Sequence, residues 1–162
     1  TPLYSSAASD VYKRQREGWA GDDDLRPLSK KGRRQAELLV SELSGYRPET
    51  ISSAVPVRCE HTAAPIAQDL GLEVTFDANL GDAGWAADSD AAVDAFHAAT
   101  AAPVSMVVAQ GTVIPGVLAR IAGEHDVEIE DMRVKKSSTW VLHFAGDKLL
   151  GLDYLASPLS VK

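Results

Sequence analysis

From residue 25 onward, short apolar runs alternate with longer stretches whose apolar residues recur at helical spacing, so strands and helices are predicted in turn. Ala36, Leu39, Val40 and Leu43 form one stripe behind Ser29, whose hydroxyl suits a helix cap, and a helix is predicted over 30–43 with Gly45 as its stop. Residues 49–54 read as a short strand, 57–70 as a second amphipathic helix ending at Gly71, and 72–76 as another strand. The Ala-rich stretch 88–100 predicts a third helix. The run 104–109 is apolar enough to be buried on both faces, which places it centrally in a sheet. Gly111 then turns the chain into a helix over 114–122, where Pro115 falls in the first turn and no backbone donor is missed. Residues 139–144 and 148–154 flank Ala145-Gly146-Asp147 as a β-hairpin. The expected fold class is α/β, a mostly parallel sheet with helices on both faces and a hairpin at the C-terminal end.

Composition narrows the class. The 162 residues, 45% of them hydrophobic, suffice for one core and are too few for two comfortable domains. A net charge of -7 and a pI near 5.0 argue against nucleic acid polymers and anionic membranes as partners, so any phosphate recognition must be local. The single cysteine, Cys59, excludes an internal disulfide and a multi-cysteine zinc site. No apolar run approaches membrane-span length and no signal-peptide pattern opens the chain. A cytoplasmic domain is expected.

The start of the chain does not fit this pattern. Residues 4–15 show no periodicity where such a fold places its first central strand. Asp10-Val11-Tyr12-Lys13-Arg14-Gln15 is the translation of GATGTGTATAAGAGACAG, which is similar to the transposase end used in preparing DNA sequencing libraries. Residues 1–15 are therefore expected to be non-native, with a truncated domain over 16–162 whose first central strand is missing. A natural polar tail is the alternative.

Two strand-to-helix junctions carry the candidate chemistry. In the first, Ser52-Ser53-Ala54-Val55-Pro56-Val57-Arg58, Arg58 falls in the first turn of a helix, where its planar fork and the helix's partial positive charge suit a phosphate. Spacing alone favours a solvated surface arginine. The second, Met106 to Thr112, ends in Gln110-Gly111, with backbone amides just beyond. Gln110 donates and accepts hydrogen bonds without the charge of a protonated histidine, and a turn without ligand is an equal reading. His61, His97, His125 and His143 each read as surface or partly packed, and no pair has the spacing of a helical metal site. Asp22-Asp23-Asp24 lacks the remainder of a calcium loop and reads as a cap or a solvated turn. Serine-elbow, P-loop and dinucleotide fingerprints are absent.

Several runs taken together resemble a known family. Trp19-Ala20-Gly21-Asp22-Asp23, Leu25-Arg26-Pro27-Leu28-Ser29, Gly32-Arg33-Arg34-Gln35-Ala36, Arg58-Cys59 with Thr62, Gln110-Gly111 with Ile114-Pro115, and Trp140 with Asp153-Tyr154 resemble the histidine-phosphatase domain, of phosphoglycerate-mutase type, that follows Nudix domains in actinobacterial MutT-like proteins. The resemblance runs over 16–160. It implies a three-layer αβα fold and a strand-end Arg-His pair whose histidine attacks phosphorus; by spacing back from Trp19 that pair should fall at about residues 6–10, where no histidine stands. It further implies a phosphate-binding Arg58, Gln110 with Gly111 at the position of the superfamily's second histidine, and a leaving-group acid at Asp82. No cofactor is implied for the domain itself, since magnesium would serve only an attached Nudix domain. The expected substrate is a nucleotide or small phosphate ester, and the chain as written should be inactive. The competing reading is a degenerate phosphate-binding or structural module beside a Nudix partner.

Overall fold

The computed structural model of the chain describes residues 2–6 and 21–158. Its strands are β1 (Pro2–Ser6), β2 (Thr50–Ser53), β3 (Val74–Phe76), β4 (Ser105–Ala109), β5 (Thr139–Ala145) and β6 (Lys148–Leu155). The helices are α1 (Lys30–Leu43), α2 (Val57–Leu70), α3 (Asp82–Ala87), α4 (Ser89–Ala99) and α5 (Ile114–Glu124). Among the described residues they build one sheet in the order β3-β2-β4-β1-β5-β6. β3, β2, β4 and β1 run parallel, while β5 and β6 return as an antiparallel hairpin. This is the expected α/β class.

The position expected to stand empty is filled. β1 lies between β4 and β5, with Leu3 opposite Met106 on one side and Val141 on the other. Periodicity does not reveal it because Pro2-Leu3-Tyr4-Ser5-Ser6 is too short and too polar to read as an apolar run, and ladders to β4 and β5 hold it in place. Leu3 is fully buried, at 0% exposure, and Pro2 stands at the strand's first residue, where a missing donor is tolerated. Residues 10–15, on which the adapter reading rests, lie outside the described residues.

Right-handed crossovers assign the layers. The chain moves one way across the sheet from β1 through β2 to β3, and back to β4, so α1 and α2 cover one face while α4 covers the other. The packing of α1 against α2, and of α4 against α5, agrees. Met106, Val107, Val108 and Ala109 of β4 are all fully buried between the layers.

Local chemistry sets the ends. Ser29 Oγ accepts from the Gly32 amide at 2.9 Å and starts α1 where predicted. Gly45 does not stop it: a 3-10 turn over Ser44–Tyr46 follows, and Arg47 takes the left-handed conformation at φ 52. Gly71, at φ 67, closes α2 as a left-handed cap. α3 was not anticipated, being six residues long and hence without a readable stripe.

Candidate active site

Because β2, β4 and β1 are parallel, Ser53, Ala109 and Ser6 stand at one end of the sheet, and residues beyond Ser53 and Ala109, with Asp23 and Asp24, line a cleft of about 580 Å³ there. Its lining includes Asp23, Val55, Arg58, Gly81, Asp82 and Gln110. Three of the four residues singled out in the sequence thus meet: Arg58 from the start of α2, Asp82 from the start of α3, and Gln110 from the end of β4. Gly111 follows directly, and a Cβ there would stand 3.6 Å from Val134.

Arg58 is no solvated surface arginine. It is 6% exposed, and a guanidinium taken out of water needs partners. Its Nη1 donates to the Asp23 carbonyl at 2.9 Å, and Nη2 stands 3.4 Å from Asp23 Oδ2. The same carboxylate accepts from Nε of the buried Arg26 at 2.9 Å. Asp23 therefore ties two buried arginines to the short 3-10 turn Asp23–Leu25. In the sequence the acidic run reads as a cap or a solvated turn. Asp22 does cap that turn, accepting from the Asp24 amide at 3.0 Å; the reach of Asp23 to Arg58, 35 residues away, is a tertiary contact. The one sequence signal for it was the acid-to-base alternation from Asp22 to Arg26, inside a run that matched the family.

Gln110 and Asp82 are coupled. Gln110 Oε1 accepts from the Asp82 amide at 2.8 Å, so its carbonyl caps α3, and its Nε2 is left as a neutral donor at the cleft. Asp82 Oδ1 accepts from the Thr112 hydroxyl. A Cβ on Gly81 would lie 3.0 Å from Gln110 Oε1, so this approach depends on glycine there.

None of the four histidines lines the cleft. His143 Nε2 is 2.7 Å from Asp153 on the hairpin, His97 is 3.3 Å from Glu124, His125 Nδ1 accepts from the Leu149 amide at 3.4 Å, and His61 lies within α2. Cys59, next to Arg58, is fully buried, and burial pushes its thiol up to about 12 despite the neighbouring Arg58 charge. It does not replace a histidine as nucleophile. Among the described lining residues, one cation faces the carboxylates of Asp23, Asp24 and Asp82.

A family model described as the histidine phosphatase superfamily (branch 1) matches residues 9–90, half of the chain. The chain belongs to the histidine phosphatase superfamily. The matched span holds Arg58 and Asp82. Among curated proteins, this histidine phosphatase chain is similar to an 8-oxo-(d)GTP phosphatase of Mycolicibacterium smegmatis, with 37% identity over 145 residues that cover 89% of the chain. The chain spans 45% of that relative's length. Among solved structures, it shares its fold with the protein histidine phosphatase SixA complexed with tungstate (TM-score 0.74, 18% identity, 97% of this chain and 96% of that one). The alpha-ribazole phosphatase of Shigella flexneri is another such fold (TM-score 0.67, 17% identity, 91% and 92% of the two chains).

Proposed function

We propose that this chain is the phosphate-handling domain of a phosphomonoesterase-type phosphohydrolase acting on a nucleotide or small phosphate ester. The observation that carries this reading is the placement of Arg58: a buried guanidinium at a helix start, in a cleft at the carboxyl ends of parallel strands, with Gln110 and Asp82 beside it. Arg58 offers its remaining N–H groups to phosphoryl oxygens. Gln110 Nε2 adds a neutral donor, and Gly111, without a side chain, allows an oxygen to approach the backbone. Asp82 gives its proton to the leaving oxygen. In the intact protein the nucleophile is the histidine of a strand-end Arg-His pair following β1. Its ring nitrogen attacks phosphorus as the bond to the leaving oxygen breaks, and water then releases phosphate from the phosphohistidine. Donors aimed at the phosphoryl oxygens do the stabilising, and no metal is needed for this step.

On this reading the adapter-like residues 10–15 are non-native, and the domain takes in β1 together with residues 16–162. It acts in the cytoplasm, joined in the full-length protein to a Nudix domain whose magnesium is its own affair. The nucleotide substrate draws support from the Mycolicibacterium relative, an 8-oxo-(d)GTP phosphatase more than twice the matched length.

The second reading, a phosphate-binding or structural module without chemistry, is favoured by one observation: no histidine of the chain lines the cleft. Long-read sequencing through the codons before Arg16 separates the two. An in-frame strand ending in Arg-His, and phosphate release by protein made from that gene, is the expected result. Finding the same fifteen codons in intact DNA would remove the enzymatic reading of the chain and leave the binding module.

A further inference from the structure

The exposed large hydrophobic residues of the described chain are Leu25, Val55, Phe76 and Leu150. One of them lines a cleft, and two others stand within two residues of its lining. Val55 lines it, directly between the end of β2 and Pro56. Leu25, 61% exposed, closes the 3-10 turn whose Asp23 is bonded to Arg58 and whose Asp24 also lines the cleft. Phe76, 46% exposed, ends β3 in register with Ser53, and the Asp77 amide behind it donates to the Ser53 carbonyl at 3.0 Å. Ala78, two residues on, is again a lining residue.

Scattered exposed apolar side chains need no explanation, but three of the four falling on or next to the lining of one polar cleft mark a surface that something covers. The cleft has charge and hydrogen-bond donors at Arg58 and Gln110, and exposed apolar side chains at its lining (Val55) or next to it along the chain (Leu25, Phe76), one of them aromatic. A molecule that matches both carries a phosphate at one end and a flat apolar group at the other.

We propose that Phe76, with Val55 and Leu25, forms a specificity surface that stacks on a planar aromatic group of the substrate, a nucleobase, while its phosphate rests at Arg58. This rests on the phosphate-binding reading above and adds to it the residues that recognise the leaving group. An aromatic face accepts any base by stacking. For a rim open to solvent, the effect sits toward the low end of the range for such contacts, about tenfold in affinity.

The test uses the 162-residue chain, labelled with ¹⁵N, followed by NMR titration with inorganic phosphate, ribose 5-phosphate and guanosine 5′-monophosphate, because NMR reads weak binding without turnover. Phosphate should shift the amides around Arg58 and Gln110, and Arg58→Ala should abolish this. The nucleotide should bind about tenfold more tightly than ribose 5-phosphate and shift Val55 and Phe76 in addition. Phe76→Ala should bring the nucleotide down to the ribose 5-phosphate affinity and leave phosphate binding alone, while Phe76→Trp should keep the preference and show that the position, not the fold, is responsible. Equal affinity for the two organic phosphates, or a preference that survives Phe76→Ala, overturns the stacking surface and leaves the phosphate site standing. If phosphate itself leaves the Arg58 surroundings unchanged, the site reading falls and the specificity surface falls with it.

Discussion

Replacing Leu3 by alanine tests the least expected feature of the fold. Leu3 is fully buried, paired with Met106 on β4 and Val141 on β5, within the main core cluster. Leucine to alanine removes three carbon groups at ~0.8 kcal/mol each, so transfer alone costs ~2.4 kcal/mol. Flanked by strands on both sides, the site has little room to collapse, and the residual cavity raises the loss into the range of about 2–5 kcal/mol known for such changes. Against a domain stability of about 5–15 kcal/mol this is a large fraction. For a chain of this size each kcal/mol lowers Tm by about 2–4 °C, giving an expected drop of about 5–20 °C. Circular dichroism melts of Leu3→Ala beside Leu25→Ala, an exposed control, measure it. If the two variants melt together, β1 does not occupy the central position.

Three further predictions address the cleft. Gly84→Ala on α3 would set a Cβ 2.6 Å from the Asn79 Cα and 2.7 Å from the Ala78 carbonyl, backbone atoms that cannot swing aside. A loss of about 1–3 kcal/mol by urea titration is expected, since the backbone must shift. Gln110→Glu keeps an acceptor for the Asp82 amide and should melt like the parent, yet it adds a carboxylate to a cleft that already holds three, so phosphate binding should fall; unchanged binding would show that Gln110 does not face the ligand. The Cys59 thiol, raised in the folded protein from its ordinary value of 9.0 to about 12, ionises first in the unfolded chain. Its contribution to stability is therefore full below pH 9 and is lost as pH rises through the interval up to about 12. Cys59→Ala should flatten this decline, and the native thiol should resist alkylation at pH 8 until the protein is unfolded.

Much of this fold is legible in the sequence because local chemistry and burial agree there. Ser29 caps a helix whose buried stripe includes Ala36, Leu39 and Leu43, and Gly71 supplies the left-handed turn that releases α2 toward β3. The uninterrupted burial of β4 follows from its run of apolar residues and its central place. What escaped is decided by partners far along the chain. β1 carries one described buried side chain and is held by ladders to strands about a hundred residues away. α3 is fixed by Gln110 across 28 residues. Asp23 looked like a turn residue because its own neighbourhood makes it one, and only the folded chain brings Arg58 to it. At the cleft, Arg58, Asp82 and Gln110 are singled out through resemblance; spacing alone favours a surface arginine and leaves the turn at Gln110 equally readable with or without a ligand.

The most direct test of the account is a crystal structure of the chain grown with tungstate, an oxyanion that stands in for a phosphoryl group. The ion is expected in the cleft at the carboxyl ends of β2 and β4, within hydrogen-bond reach of the Arg58 guanidinium and Gln110 Nε2. Tungstate bound elsewhere, with Arg58 still held only by Asp23 and the cleft filled by water, would contradict it.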